Sequence, residues 1–183
     1  NGQRPGYFLF LEYGNIFLEN RYACHDWGQR YHPEITLRNL WRLSRYMRPQ
    51  SLQIEVTDPA LINAATYERD GVNRPDEYTP EYWMAVTLFA NPLIWLAPSR
   101  LATDVAATYA RVIDLHRAHQ RGVFGGEIFP IGAEPDGGSW TGFQSHRSED
   151  GSGYLVVYRE LHAPDRGTVE LHFVNETPLI LHS

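Results

Sequence analysis

The chain has 183 residues, 43% hydrophobic and 21% charged, with a formal net charge of -6. That composition supports a folded domain, excludes a broadly basic nucleic-acid-binding surface, and limits the chain to one domain or one and a half. The single cysteine, Cys24, excludes an intrachain disulfide and a cysteine-built zinc site.

Residues 7–13, YFLFLEY, followed by Gly14, suit a short helix closed by glycine or a short strand. From Ile16 to Arg21 the chain alternates, with Ile16, Leu18 and Asn20 on one face and Phe17, Glu19 and Arg21 on the other, which predicts a strand. The first residues, Asn-Gly-Gln-Arg-Pro-Gly, show no basic segment followed by an apolar one, so no signal peptide is expected in them. With no initial Met, a piece of a longer chain is expected. The longest apolar run, Met84 to Leu96, is interrupted by Asn91 and Pro92 and is too short for a membrane helix, so no membrane partner is expected.

From Pro33 to Met47, Leu37, Leu40, Trp41, Ser44 and Met47 fall at helical spacing, with Arg38, Arg42 and Arg45 opposite. This predicts an amphipathic helix with Pro33 in its first turn. The arginine row suits a solvated face or a phosphate site. A second alternating strand, Leu52 to Thr57, follows Pro49. Strand, helix and strand in that order describe a parallel βαβ unit. Residues 63–80 form a long polar connection. Beyond it the pattern fits a helix from Pro80 to Ala90, ended by Asn91-Pro92, or a buried strand at Ala85 to Phe89. Thr103 is a candidate cap for a helix that runs through Val105, Tyr109, Val112, Ile113 and His116 and stops before Gly122. His116 and His119 on that helix could share a metal, but no third ligand is placed and no metal is assigned.

Past Gly122 the sequence changes. PIGAEPDGGSWTGFQ is rich in turn residues, and strands are predicted at Gly142–His146, Tyr154–Leu161 and Thr168–Val174, with a further one at Leu179–Leu181. Two regions result, residues 1–124 of α/β type and residues 125–183 as an antiparallel, sandwich-like β domain.

In parallel α/β folds the C-terminal ends of strands carry the chemistry. Both front strands end in acids, Glu19 with Asp26 and Glu55 with Asp58, and the first set is surrounded by Tyr22, Trp27, Tyr31 and Trp41. Paired carboxylates beside flat aromatic rings and an arginine suit hydrolysis of a glycosidic bond. One acid protonates the leaving oxygen, a second carboxylate meets the oxocarbenium-like centre, and donors hold the sugar hydroxyls. The structural alternatives are an ion pair between Glu19 and Arg21, a capping role for Asp26, and Glu55 satisfying buried amides. Cys24 and His25 are adjacent, which does not favour a nucleophile pair facing one substrate.

The segments RPGYFLFLEYGNIFLENRY, HDWGQRYHPEITLRNLWRLSRYMRPQSLQIEV and GEIFPIGAEPDGGSWTGFQS resemble alpha-galactosidase-like glycoside hydrolases of the family thirty-six type. The resemblance implies the C-terminal part of a (β/α)8 TIM barrel followed by an antiparallel β domain. It also implies retaining hydrolysis of a terminal α-linked sugar, a carbohydrate substrate and no metal or organic cofactor. Asp26 best matches the acid/base, and Glu19, Asn20, Arg21, Trp27 and Glu55 are the candidate substrate-binding residues. The nucleophile is expected upstream of Asn1, so the chain alone is expected to be inactive. Where such relatives read Arg-Tyr-Thr-Asp-Trp, this chain has Arg21-Tyr22-Ala23-Cys24-His25-Asp26-Trp27, two residues longer. The alternative from another class is a non-catalytic carbohydrate-binding or accessory protein that uses the aromatics for stacking.

Overall fold

Leu52, Ile54, Glu55 and Val56 are all buried, so the strand they form is covered on both faces. That is the position of a central strand in a parallel sheet. The computed structural model describes residues 17–18, 32–56, 75–94, 96–174 and 180. Within it, β1 (Phe17–Leu18), β2 (Leu52–Val56) and β3 (Asn91–Ile94) lie in the order β1-β2-β3, all parallel. The register sets Leu18 beside Gln53, and Ile54 beside Pro92.

Helix α1 (Pro33–Leu43) connects β1 to β2. Pro33 occupies the first turn, where its missing N–H costs nothing, and Leu37 and Leu40 are fully buried while Arg42 and Arg45 are exposed. The helix is shorter than the expected Pro33–Met47. Residues 44–46 turn instead, and Ser44 Oγ donates to the Trp41 carbonyl at 2.7 Å. Helix α2 (Pro80–Ala85) is capped by Thr79, whose hydroxyl accepts the Tyr82 N–H. It is a helix rather than the alternative strand, and it ends well before Ala90. Asn91-Pro92 does more than stop it, because these residues open β3. Among the described residues β3 pairs only with β2, and an edge strand tolerates Pro92.

Helix α3 (Thr103–Phe124) follows, with Tyr109, Val112, His116 and Val123 buried along one face. Thr103 is its first residue rather than its cap, and the helix continues through Gly122. Gly122 serves packing here. A Cβ added to it would lie 2.5 Å from the Tyr154 hydroxyl oxygen.

Three antiparallel strands complete the described structure: β4 (Glu127–Gly132), β5 (Trp140–His146) and β6 (Gly153–Arg159). β4 ends in the stretch from Pro130 that is rich in turn residues. Its Ile128, with Phe143 of β5 and Tyr158 of β6, joins one hydrophobic cluster with Leu37, Leu40, Leu52, Ile54 and Phe89. The α/β part and the antiparallel part therefore share a core.

These observations correct the fold expected from the sequence. Among the described residues there is no TIM barrel, since the parallel strands form an open three-stranded sheet. Nor is there a β-sandwich. A sandwich needs a second sheet against the inner face, and here that face packs on α1, β2 and the turn after α2. The fold is α/β with an appended antiparallel meander. Residues 168–174 also form no strand. A turn covers His172 and Phe173, and the Gln144 side chain takes the place of a ladder partner. Its Oε1 accepts the His172 N–H at 2.8 Å, and its Nε2 donates to the His172 carbonyl at 2.9 Å. The predicted element at 7–13 lies outside the described residues, as does all of 179–181 except Ile180, which has no regular structure.

Candidate functional site

Because β2 and β3 run parallel in register, their C-terminal residues Val56 and Ile94 lie side by side at one edge of the sheet, whereas Leu18, the last described residue of β1, lies beside Gln53 near the start of β2. The chain leaves β2 at that edge. Described residues resume at His32, just before α1, and at Pro75, five residues before α2. Open α/β sheets bind ligands at this edge, where strand ends and helix starts converge.

Glu55 stands one residue before the end of β2, opposite Leu93 of β3, and is buried. Of the residues expected at the site, Glu55 is the one that lies among the described residues. Glu19, Asn20, Arg21, Asp26 and Trp27 lie outside the described residues, as do Cys24, His25 and Asp58.

A second polar group at the helix starts was not singled out in the sequence. It comprises His32, Glu34, Tyr78 and Tyr82. His32 and Glu34, at the beginning of α1, are buried, and so is Tyr78, just ahead of α2. Tyr78 Oη donates to Glu34 Oε2 at 3.5 Å, and the His32 ring meets the Tyr78 ring edge-on at 5.7 Å. Tyr78 and Tyr82 are 5.2 Å apart, and Tyr82 meets Tyr158 of β6 edge-on at 5.8 Å. The Tyr82 hydroxyl is enclosed, and among the described residues no group hydrogen-bonds to it. Burial, then the charges of Glu160 and Glu34 and the neighbouring phenols, push its ionisation far above the usual phenol value. It remains a neutral O–H throughout the physiological range. Carboxylates that accept and phenols that donate are complementary to hydroxyl groups, which do both. The signal for this group was faint in the sequence. His32 and Glu34 flank a helix-starting proline, and Tyr78 and Tyr82 straddle the Thr79-Pro80 cap.

Other candidates are accounted for by structure. His116 is buried with its ring edge toward Phe124 at 6.1 Å, whereas His119 faces Tyr154 at 5.6 Å. Among the described residues no group of three His, Cys, Asp or Glu side chains could hold a metal ion. Arg42 forms an ion pair with Glu134, and the Arg45 guanidinium lies 5.6 Å from the centre of the Trp41 ring. The arginine row is thus partly used in structural contacts. Among the described residues no helix is long and apolar enough to cross a membrane. Compared with protein-family models, with curated proteins and with solved structures, the chain finds no match in any of the three.

Proposed function

We propose that this chain contributes to the site of a retaining glycoside hydrolase acting on a terminal α-linked sugar, of alpha-galactosidase type. The observation that supports this reading is Glu55. It is a buried carboxylate near the C-terminal end of the middle parallel strand, opposite Leu93 of β3. The sugar and its linkage rest on the resemblance of the three sequence segments.

In this reading Asp26 gives a proton to the departing glycosidic oxygen and then takes one from the attacking water. Glu55 accepts a hydrogen bond from a sugar hydroxyl. Glu19, Asn20 and Arg21 contact the sugar's polar edge, and Trp27 offers a face for stacking. The nucleophilic carboxylate of a retaining mechanism is assigned to no residue of this chain.

The test is hydrolysis of an aryl α-galactoside by the protein that carries this sequence. Asp26→Asn is expected to lower kcat/KM by about 10²–10⁴. Glu55→Gln is expected to raise KM more than it lowers kcat. Unchanged hydrolysis by the Asp26 variant removes that residue from the mechanism. Saturable sugar binding with no turnover supports the carbohydrate-binding alternative instead, and neither binding nor turnover ends both readings.

A further inference from the structure

β6 is the outer strand of the antiparallel sheet. β5 occupies one of its edges, and no described strand occupies the other. Its register with β5 is continuous from Gly153 opposite His146 to Arg159 opposite Trp140, with no bulge. Within Gly153–Arg159 there is no Lys, Asp, Glu or Pro. The charge at its end does not guard it either, because Arg159 is bound to Asp165 at 2.6 Å and to the Ala163 carbonyl. Edge strands of isolated chains normally carry charges, prolines or bulges that prevent further pairing. Apart from the paired Arg159, β6 carries none of these, and on its outer face Leu155 and Val157 are 39% and 38% exposed.

The order of residues along β6 points to its partner. Residues 154–158 read Tyr-Leu-Val-Val-Tyr, nearly the same in both directions. A two-fold axis through Val156 would set an antiparallel copy with Tyr154 opposite Tyr158, Leu155 opposite Val157, and Val156 opposite itself. Tyr154, Val156 and Tyr158 turn toward the core side, while Leu155 and Val157 turn outward. The axis preserves both faces, so each residue type meets one of matching size and polarity. Most homo-oligomers are two-fold symmetric, and a two-fold contact needs this kind of self-complementary surface. We propose that β6 pairs with β6 of a second copy of the chain, joining two antiparallel sheets into one through main-chain hydrogen bonds. This is independent of the proposed hydrolysis.

Sedimentation equilibrium of the protein at about 100 μM tests it. The expected result is a dimer. Leu155→Lys together with Val157→Lys sets like charges opposite each other on both sides of the axis. The expected outcome is at least tenfold weaker association, with an unchanged circular-dichroism spectrum because both positions are exposed. Leu155→Lys together with Val157→Glu sets opposite charges across the same axis and is expected to restore the dimer. A monomeric wild-type protein overturns the proposal, as does a dimer that survives the double-lysine substitution. A folded charge-swapped protein that stays monomeric overturns it as well.

Discussion

Tyr158, on β6, donates its hydroxyl hydrogen to the carbonyl oxygen of Ala85, the last residue of α2, at 2.7 Å. That bond ties the antiparallel sheet to the helix lying between two of the parallel strands. Burial raises the Tyr158 ionisation well above the usual phenol value, so the donor is never lost to titration under ordinary conditions. The same ring packs edge-on against Tyr82 and Phe143, and the contact passes from the shared core to the polar group at the helix starts.

Tyr158→Phe keeps the packing and removes only the hydrogen bond. The Ala85 carbonyl still accepts the Leu88 N–H, so the expected loss is about 1 kcal/mol. Tyr158→Ala removes the ring from the core and is expected to cost about 3–5 kcal/mol. Urea unfolding of the two variants separates the bond from the packing, and equal losses would mean that the bond contributes nearly all of the effect.

Glu160 is buried, and its carboxylate accepts the backbone N–H groups of Asp136, Gly137 and Ser139 at 3.0, 3.0 and 2.9 Å. It holds the β4–β5 connection in place. Glu160→Ala leaves those three donors without their acceptor and is expected to cost about 3 kcal/mol, whereas Glu160→Gln keeps one acceptor oxygen and costs about 1–2. Burial raises the carboxyl's ionisation, outweighing the three hydrogen bonds that lower it. A raised folded value means that stability is fully present below the ordinary carboxylate value and lost as pH rises through the folded one. The wild-type melting curve is therefore expected to shift downward across that window relative to the Gln variant, and parallel pH profiles would contradict this.

His116 is buried on α3, and among the described residues no group hydrogen-bonds to its Nε2. Desolvation lowers its ionisation, although a hydrogen bond with the Leu88 backbone opposes the shift. The neutral form is thus favoured by folding. Its contribution is present above the ordinary histidine value of about 6.5 and is lost as pH falls through the lowered folded value. His116→Gln is expected to flatten the acid side of the stability–pH profile, as read by thermal melts from neutral to mildly acidic buffer. An acid limb as steep as wild type would assign that loss to other groups.

Gly132, at the end of β4, has φ of 72°, and a Cβ there would press on the carbonyl oxygen of Trp140. The left-handed conformation and the backbone contact both disfavour a side chain, and a backbone atom cannot swing aside. Gly132→Ala is expected to destabilise by about 1–3 kcal/mol. Gly151 also has positive φ, at 69°, but a Cβ there would meet nothing within 4 Å. Gly151→Ala should cost only the conformational part, about 1 kcal/mol. Calorimetry of both variants checks the difference, and equal midpoints would show that the Trp140 contact carries no weight.

The elements with clear local periodicity were legible in the sequence. Leu37 and Leu40 recur at helical spacing in α1, Leu52, Ile54 and Val56 alternate in β2, and the turn residues of EDGSG separate β5 from β6. These signals are local because neighbouring residues on one helix face or strand face must be buried together. β3 and β4 were not legible in that way. Asn91-Pro92 and Pro130 look like breakers, and only pairing with β2 and β5 makes strands of them. The expected strand at 168–174 failed for the converse reason. Its alternation is real, but the Gln144 amide takes the backbone groups of His172 that a neighbouring strand would have bonded.

For the site, the sequence by itself determined that Glu55 stands near the end of its strand, since a strand's side-chain order is written in its residues. It also determined that Glu55 sits among apolar neighbours. Only the tertiary structure decided that the helix starts bring His32, Glu34, Tyr78 and Tyr82 together, because Glu34 and Tyr82 are 48 positions apart in the chain and no local pattern encodes such a meeting. It also decided that the antiparallel strands rest on the α/β part instead of on a second sheet. Burying an apolar face lowers the free energy whichever partner covers it, and the choice between possible partners belongs to the whole chain.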